Sequence, residues 1–233
     1  MRIALVEDDK SVRDALTMGL INRGHSVQTF ATGELALAGI IASHLDVVVL
    51  DWMLPGLSGL EVCRGLRASS QIPIVMITAR SDDESIVDGL EAGADDYIVK
   101  PAEPRVIEAR LRAVMRRTLP SPHPESDHRD ESTETAVFGD LRVDFDAVTV
   151  DIAQTRIELT PTEFRVLATL IAHRGKVLSR HQLLEHVWNY DHLGDSRLVD
   201  ACIQRLRAKI EQNPRQPRYV QTVRGFGYRF GPL

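Results

Sequence analysis

Three uninterrupted apolar runs, Ile3 to Val6, Val47 to Leu50 and Ile74 to Ile77, constrain this chain most. A shorter run, Tyr97 to Val99, continues the series. Each has strand length and none alternates with polar residues, so each reads as a strand buried on both faces. Between them apolar residues recur at helical spacing: Val12, Ala15, Leu16 and Leu20, then Ala36, Leu37, Ile40 and Ile41, then Ile86, Val87 and Leu90. Strands joined through helices run parallel, because the crossover returns the chain to the same end of the sheet. The expectation is a five-stranded, doubly wound parallel α/β domain over residues 1–117.

Residues 118–135 (TLPSPHPESDHRDESTET) hold a single apolar residue, Leu119. Such a segment buries too little surface to offset its ordering entropy, so it reads as a flexible linker. Beyond it the pattern changes. AVF, LRVDF, AVTVDI and TRIEL read as short antiparallel strands. Thr160, Pro161 and Glu163 form a helix start with a capping box, ahead of Phe164, Val166, Leu167, Leu170 and Ile171. Ser179 caps a second helix carrying Leu183, Leu184 and Val187. A third starts near Ser196 and carries Val199, Ile203, Leu206 and Ile210. Residues 219–230 close the chain as a hairpin turning at Arg224-Gly225-Phe226-Gly227. Strands, three helices and a terminal hairpin predict an α+β winged helix-turn-helix over 136–233.

Charge separates the two halves. The chain has 233 residues and a net charge of -5. Residues 164–233 alone carry 12 Lys and Arg against five acids, which points to a nucleic-acid partner for that region. No run of about 18 apolar residues suggests a membrane span, and the start lacks a signal-peptide pattern. A cytoplasmic protein with Cys63 and Cys202 reduced is expected.

In an open parallel sheet, sites form at the C-terminal ends of the strands. There the first strand delivers Glu7, Asp8 and Asp9, the third Asp51, the fourth Thr78 and the fifth Lys100. Converging carboxylates oppose one another unless a cation relieves them. Mg²⁺ fits, with Asp8 and Asp51 as direct ligands and Glu7 acting through water. A carboxylate so held can attack phosphorus. Lys100 and the Thr78 hydroxyl then serve the phosphoryl oxygens. The rival reading, a Mg²⁺-dependent phosphatase or phosphotransferase acting on outside substrates, has no phosphate-binding G-x-x-x-x-G-K-[ST] loop to support it.

On the third helix, the face opposite the apolar residues is expected to carry Arg197, Ala201, Gln204, Arg205 and Ala208. Such a face suits the DNA major groove. Arg205 suits guanine, Gln204 adenine or phosphate, and Arg197 and Arg207 phosphates, while Arg224 at the hairpin tip suits an A·T-rich minor groove. Trp188 and Tyr190 look exposed, although Trp188 reads equally well as core packing.

LVEDD, LDWMLPGLSG, VMITAR and GLEAGADDYIVKP resemble the receiver domain of bacterial two-component response regulators. LTPTEFRVLATL, LLEHVW, RLVDACIQRLRAKIE and QTVRGFGYRF resemble the winged helix of their OmpR/PhoB subfamily, most like actinobacterial members. The resemblance covers nearly all the chain except the linker. It implies a transcriptional regulator whose phosphoacceptor is Asp51 and whose donor is a phosphohistidine on a sensor histidine kinase. The chain would not be an enzyme beyond phosphorylating and dephosphorylating itself.

The resemblance further implies that Glu7 and Asp8 form the Mg²⁺ pocket with the Met53 carbonyl, that Thr78 and Tyr97 are the switch pair, and that Lys100–Pro101 is cis. In the second half it marks Arg197, Arg205, Arg207, Thr222, Arg224 and Tyr228, promoter sites of paired half-sites in direct repeat, and RNA polymerase as a partner for the loop from Trp188 to Asp195. It also implies a homodimer of the phosphorylated form, with ion pairs Asp96–Arg110 and Glu91–Arg112. Where the family carries a third ion pair, this chain has Ile86 and Val106, which suggests an apolar patch there. Ala102 stands where the family usually has Phe.

Overall fold

The computed structural model describes residues 1–79, 88–116, 135–188 and 195–231, in two compact units, Met1–Met115 and Arg116–Leu233. In the first unit five parallel strands, β1 (Arg2–Val6), β2 (Ser26–Phe30), β3 (Val47–Asp51), β4 (Ile74–Thr78) and β5 (Asp96–Val99), lie in the order β2-β1-β3-β4-β5. The helices are α1 (Lys10–Ile21), α2 (Gly33–Ile41), α3 (Gly59–Arg67) and α4 (Pro104–Arg116).

The apolar runs behave as their lack of alternation requires. Ala4, Val6, Val48, Leu50, Ile74 and Met76 pack on one face of the sheet with Ala36 and Ile40 of α2 and Val62 and Leu66 of α3. Ile3, Leu5, Val47, Val49, Val75 and Ile77 pack on the other with Leu16 and Leu20 of α1 and Ile107, Leu111 and Val114 of α4.

The apolar pattern missed two elements. The edge strand β2 buries only Phe30 fully, so its sequence SVQTF shows no apolar run. The start of α3 is marked by polar atoms instead: Ser58 and Glu61 form a capping box. Two helical faces also need correction. Val12 and Ala15 of α1, and Ile41 at the end of α2, are exposed. Each sits on the flank of its helix, beyond the strip that the sheet covers. Ile86 and Val87 lie outside the described residues, as do 118–134 of the expected linker. Thr135, assigned to that linker, instead opens a strand opposite Asp144.

In the second unit, β6 (Thr135–Phe138), β7 (Leu141–Asp144), β8 (Thr149–Ile152) and β9 (Thr155–Ile157) form an antiparallel sheet. Helix α5 (Pro161–Ala172) starts at a capping box of Thr160 and Glu163. Helix α6 (Arg180–Leu183) starts at one of Ser179 and Gln182, and continues as a π-helical turn over Leu184–Trp188. Helix α7 (Arg197–Ile210) follows, and β10 (Val220–Val223) and β11 (Gly227–Phe230) close the chain as a hairpin. Trp188, which the sequence leaves open between an exposed aromatic and core packing, is only 1% exposed and belongs to the core. Its helical turn directs the indole inward, so the polymerase reading of this loop loses its described aromatic. Tyr190 lies outside the described residues.

Candidate phosphoacceptor site and DNA interface

β1 ends at Val6, and the next residues, Glu7 and Asp8, lie over the C-terminal edge of the sheet. Asp51 ends β3, Thr78 ends β4 and Lys100 follows β5. Parallel register thus brings residues far apart in sequence to one edge. The carboxylates of Glu7, Asp8 and Asp51 each offer an oxygen, all within 4.8 Å of one another. Lys100 Nζ donates to Asp51 Oδ2 at 2.7 Å and to Glu7 Oε2 at 2.9 Å. The Met53 amide donates to Asp51 Oδ1 at 3.2 Å, while its side chain is exposed. Thr78 is buried, and the half-buried Tyr97 packs against the core on the α2–α3 face. The Lys100–Pro101 peptide is cis.

Burial pushes the Glu7 carboxyl above its ordinary range. The Lys100 hydrogen bond opposes this, and the Asp51 charge adds to it. For Lys100, burial alone would lower its pKa, but its bonds to Asp51 and Glu7 outweigh that and the net shift is upward. The hydrogen bonds to Asp51 and Glu7 therefore hold the Lys100 ammonium charged in a partly buried site. Only hard oxygen donors converge, and Asp8 is exposed, so the cluster suits a hexacoordinate divalent cation that keeps waters.

Asp9 does not join this cluster. It caps α1, accepting from the amides of Ser11 at 2.7 Å and Val12 at 3.0 Å. Sequence reasoning overlooked Arg13, whose guanidinium donates to the carbonyls of Glu7 at 2.6 Å and Asp8 at 2.9 Å. Its place one turn into α1 was the available signal.

In the second unit the outward face of α7 differs from the expected one. Ala201 is buried, and so are Leu198 and Cys202, because α5 and α6 both pack against this helix. Gln204 and Ala208 remain exposed. Arg205, read as a guanine contact, has a side chain only 16% exposed, with Nε 3.4 Å from Glu163 Oε1. Lys209, one turn on, donates to Glu163 Oε2 at 2.7 Å. The same oxygen accepts the Thr160 amide at 2.9 Å. Glu163 thus ties the start of α5 to α7, a role its capping position did not reveal.

Arg207 is likewise engaged. It donates to the Val220 carbonyl at 2.6 and 2.8 Å and to Thr222 Oγ at 2.8 Å, and lies over the Tyr228 ring. The buried Tyr228 hydroxyl donates to Asp200 Oδ1 at 2.7 Å, which also accepts from Arg180 Nε at 2.7 Å. Burial, reinforced by the hydrogen bond to Asp200, pushes this phenol up to about 12. Arg197 pairs with Asp195 through Nε at 2.7 Å. Arg224 is exposed in the hairpin turn and Thr222 on the strand before it.

Of the expected dimer residues, Ile86 lies outside the described residues. Asp96 is buried, with its own chain's Arg110 at 3.8 Å. Arg112 is held by Glu108 at 2.6 Å rather than by Glu91, which is exposed. Val106 is exposed.

Comparison with known proteins agrees with both halves. Residues 3–112 match the response regulator receiver domain family, and residues 154–230 match the family of transcriptional regulatory protein C-terminal domains. The chain is 50% identical to "Transcriptional regulatory protein AfsQ1" of Streptomyces coelicolor, covering 99% of this chain and 98% of that protein. It is 44% identical to "DNA-binding response regulator MtrA" of Mycolicibacterium smegmatis, covering 99% and 97%. Among solved structures, the response regulator DrrB of Thermotoga maritima, described as an OmpR/PhoB homolog, matches at 38% identity over 99% of both chains, with a TM-score of 0.50. No helix among the described residues is long and apolar enough to cross a membrane. The chain belongs to the OmpR/PhoB family of two-component response regulators, which join a receiver domain to a winged-helix DNA-binding domain and are not classical enzymes.

Proposed function

We propose that this regulator is switched by phosphorylation of Asp51, in the cytoplasm, by a sensor histidine kinase. The observation that carries this reading is the Lys100 ammonium, shared by Asp51 and Glu7 within a cluster of three carboxylates. An Asp51 oxygen attacks phosphorus, the phosphohistidine N–P bond breaks, and the imidazole leaves with the electron pair. Lys100 follows the phosphoryl oxygens with its charge, and the Thr78 hydroxyl donates to one of them. Glu7, Asp8, Asp51 and the Met53 carbonyl would hold Mg²⁺, which supplies neutralising charge to the carboxylates and the phosphoryl group when bound.

The remainder of the reading couples this event to DNA. Thr78 and Tyr97 act as the switch pair. A dimer face over Ile86, Glu91, Asp96, Val106, Arg110 and Arg112 pairs two chains, for which Arg110 and Arg112 must exchange their own-chain partners. Joining two DNA-binding domains, each on the linker 118–134, raises their local concentration over paired half-sites. Gln204, Arg197, Arg224 and Thr222 then face the duplex, with Arg207 and Tyr228 bracing the hairpin. Arg205 reaches DNA only by leaving Glu163. Converting a switch from 1:99 to 99:1 takes about 5.5 kcal/mol of differential stabilisation.

Selection of operator from genomic DNA, with and without a small acyl phosphate plus Mg²⁺, tests this on wild type and Asp51→Asn. Enrichment should rise on treatment for wild type and stay unchanged for the variant. Equal enrichment in all samples would remove the phosphorylation switch and leave DNA binding standing.

A further inference from the structure

Phe226 is 70% exposed, more than any other large apolar residue among those described and the only exposed aromatic among them. Its backbone gives it no route inward. The Phe226 amide donates to the Val223 carbonyl at 2.9 Å, closing a four-residue turn with Gly225 at φ 80°. That positive φ at the third position belongs to a type II turn and suits glycine. The next residue, Gly227, sits at φ 143°, and a Cβ there would lie 2.1 Å from the Leu178 carbonyl oxygen. Below the turn, Leu178 and Tyr228 exchange backbone hydrogen bonds of 2.8 and 2.9 Å. Arg207 clasps the hairpin through Val220 and Thr222. The tip is thus built stiff, with an exposed cation, Arg224, two residues before an exposed ring.

A scattered apolar side chain on a surface needs no explanation. A phenyl ring fixed outward at a hairpin tip, next to an arginine, in a region with seven more positive than negative charges, is different. A polyanion with apolar edges complements it. The minor groove of a duplex has phosphates along its rims and deoxyribose C–H edges along its walls. Apolar side chains are used there beside arginines.

We propose that Phe226 is a DNA-contact residue that packs its ring on deoxyribose in the minor groove, beside Arg224. This rests on the DNA-binding reading of the hairpin. The contact is uncharged, so it displaces no counterions, and this separates it from Arg224. Charge-neutralising contacts set the dependence of affinity on salt, whereas apolar ones do not.

The test measures affinity of the full chain for the selected operator duplex across a salt series, for wild type, Phe226→Ala, Phe226→Trp and Arg224→Ala. Phe226→Ala should bind about tenfold more weakly, the scale of one aromatic contact, with an unchanged salt slope. Arg224→Ala should lower the slope by about one. Phe226→Trp should keep binding, and the emission of its added indole should be quenched by the duplex. An unchanged thermal melt for Phe226→Ala excludes a folding defect, as its exposure requires. Wild-type affinity in Phe226→Ala, or emission from the Phe226→Trp variant that the duplex leaves unquenched, would overturn the inference while leaving the DNA-binding reading intact. A wild-type chain that binds no duplex would overturn that reading itself.

Discussion

Two glycines that differ by two positions in one hairpin should tolerate alanine very differently. Gly225 has φ 80° and nothing within 4 Å of a built Cβ. Alanine there meets only the left-handed backbone cost, about 1–2 kcal/mol, offset by about 0.4–1 from the stiffer unfolded chain. The net loss is about 1 kcal/mol. Gly227 has φ 143° and would place its Cβ 2.1 Å from the Leu178 carbonyl oxygen. The backbone region alone costs about 1–3 kcal/mol. Relieving the clash means moving Leu178 from Tyr228, which forfeits two hydrogen bonds worth about 1 kcal/mol each. The net loss is about 3–4 kcal/mol. Urea unfolding of the full chain measures both, in a Trp52→Phe background so that the buried Trp188 alone reports the second unit. With a slope of about 1–3 kcal/mol per molar, the Gly227→Ala midpoint should lie about 1 M or more below that of Gly225→Ala. Equal midpoints would refute the claim that the close approach to Leu178, and not the turn geometry, is what demands glycine.

Two further predictions concern the same unit. The neutral Tyr228 phenol is favoured by folding, with its pKa moved from 10.0 to about 12. That stabilisation is whole below pH 10, and it is lost as pH rises through about 12. Phenolate absorbance should show this tyrosine ionising late, and Asp200→Asn should bring it earlier; a titration unmoved by Asp200→Asn would contradict the assignment. Glu163→Ala removes the cap on Thr160 and both cationic partners, Arg205 and Lys209. Because those side chains keep 16% and 29% exposure, the loss should be about 2–3 kcal/mol, below that for a fully buried pair. Glu163→Gln keeps an oxygen for the Thr160 amide and should cost less. Equal denaturation midpoints for the two variants would mean that the ion pairs, and not the cap, carry the effect.

Local order in this chain is legible because it depends on neighbours in sequence. An unbroken run such as Val47 to Leu50 can only be a strand covered on both faces. Thr160 with Glu163, and Ser179 with Gln182, satisfy amides within their own turns. The meeting of Glu7, Asp51 and Lys100 was also legible, since a parallel sheet puts the residue after each strand at one edge. The edge strand β2 was not, because with little to bury it carries no apolar signature.

Which polar groups use their hydrogen bonds inside the fold was decided only by tertiary structure. Asp9 is one acid among three in sequence, yet its carboxylate is taken by the amides of Ser11 and Val12. Arg205 reads as a free cation on a helix until α5 places Glu163 against it, and Arg207 does so until β10 offers the Val220 carbonyl. Trp188 and Phe226 show the same limit from the apolar side. Both are aromatics near a turn in sequence, but a helical turn directs one into the core, and a stiff hairpin tip holds the other in solvent. The physical reason is common to all of these. Pattern along a chain reports which side chains share a face, whereas the partner that satisfies or buries each one comes from an element far away in sequence.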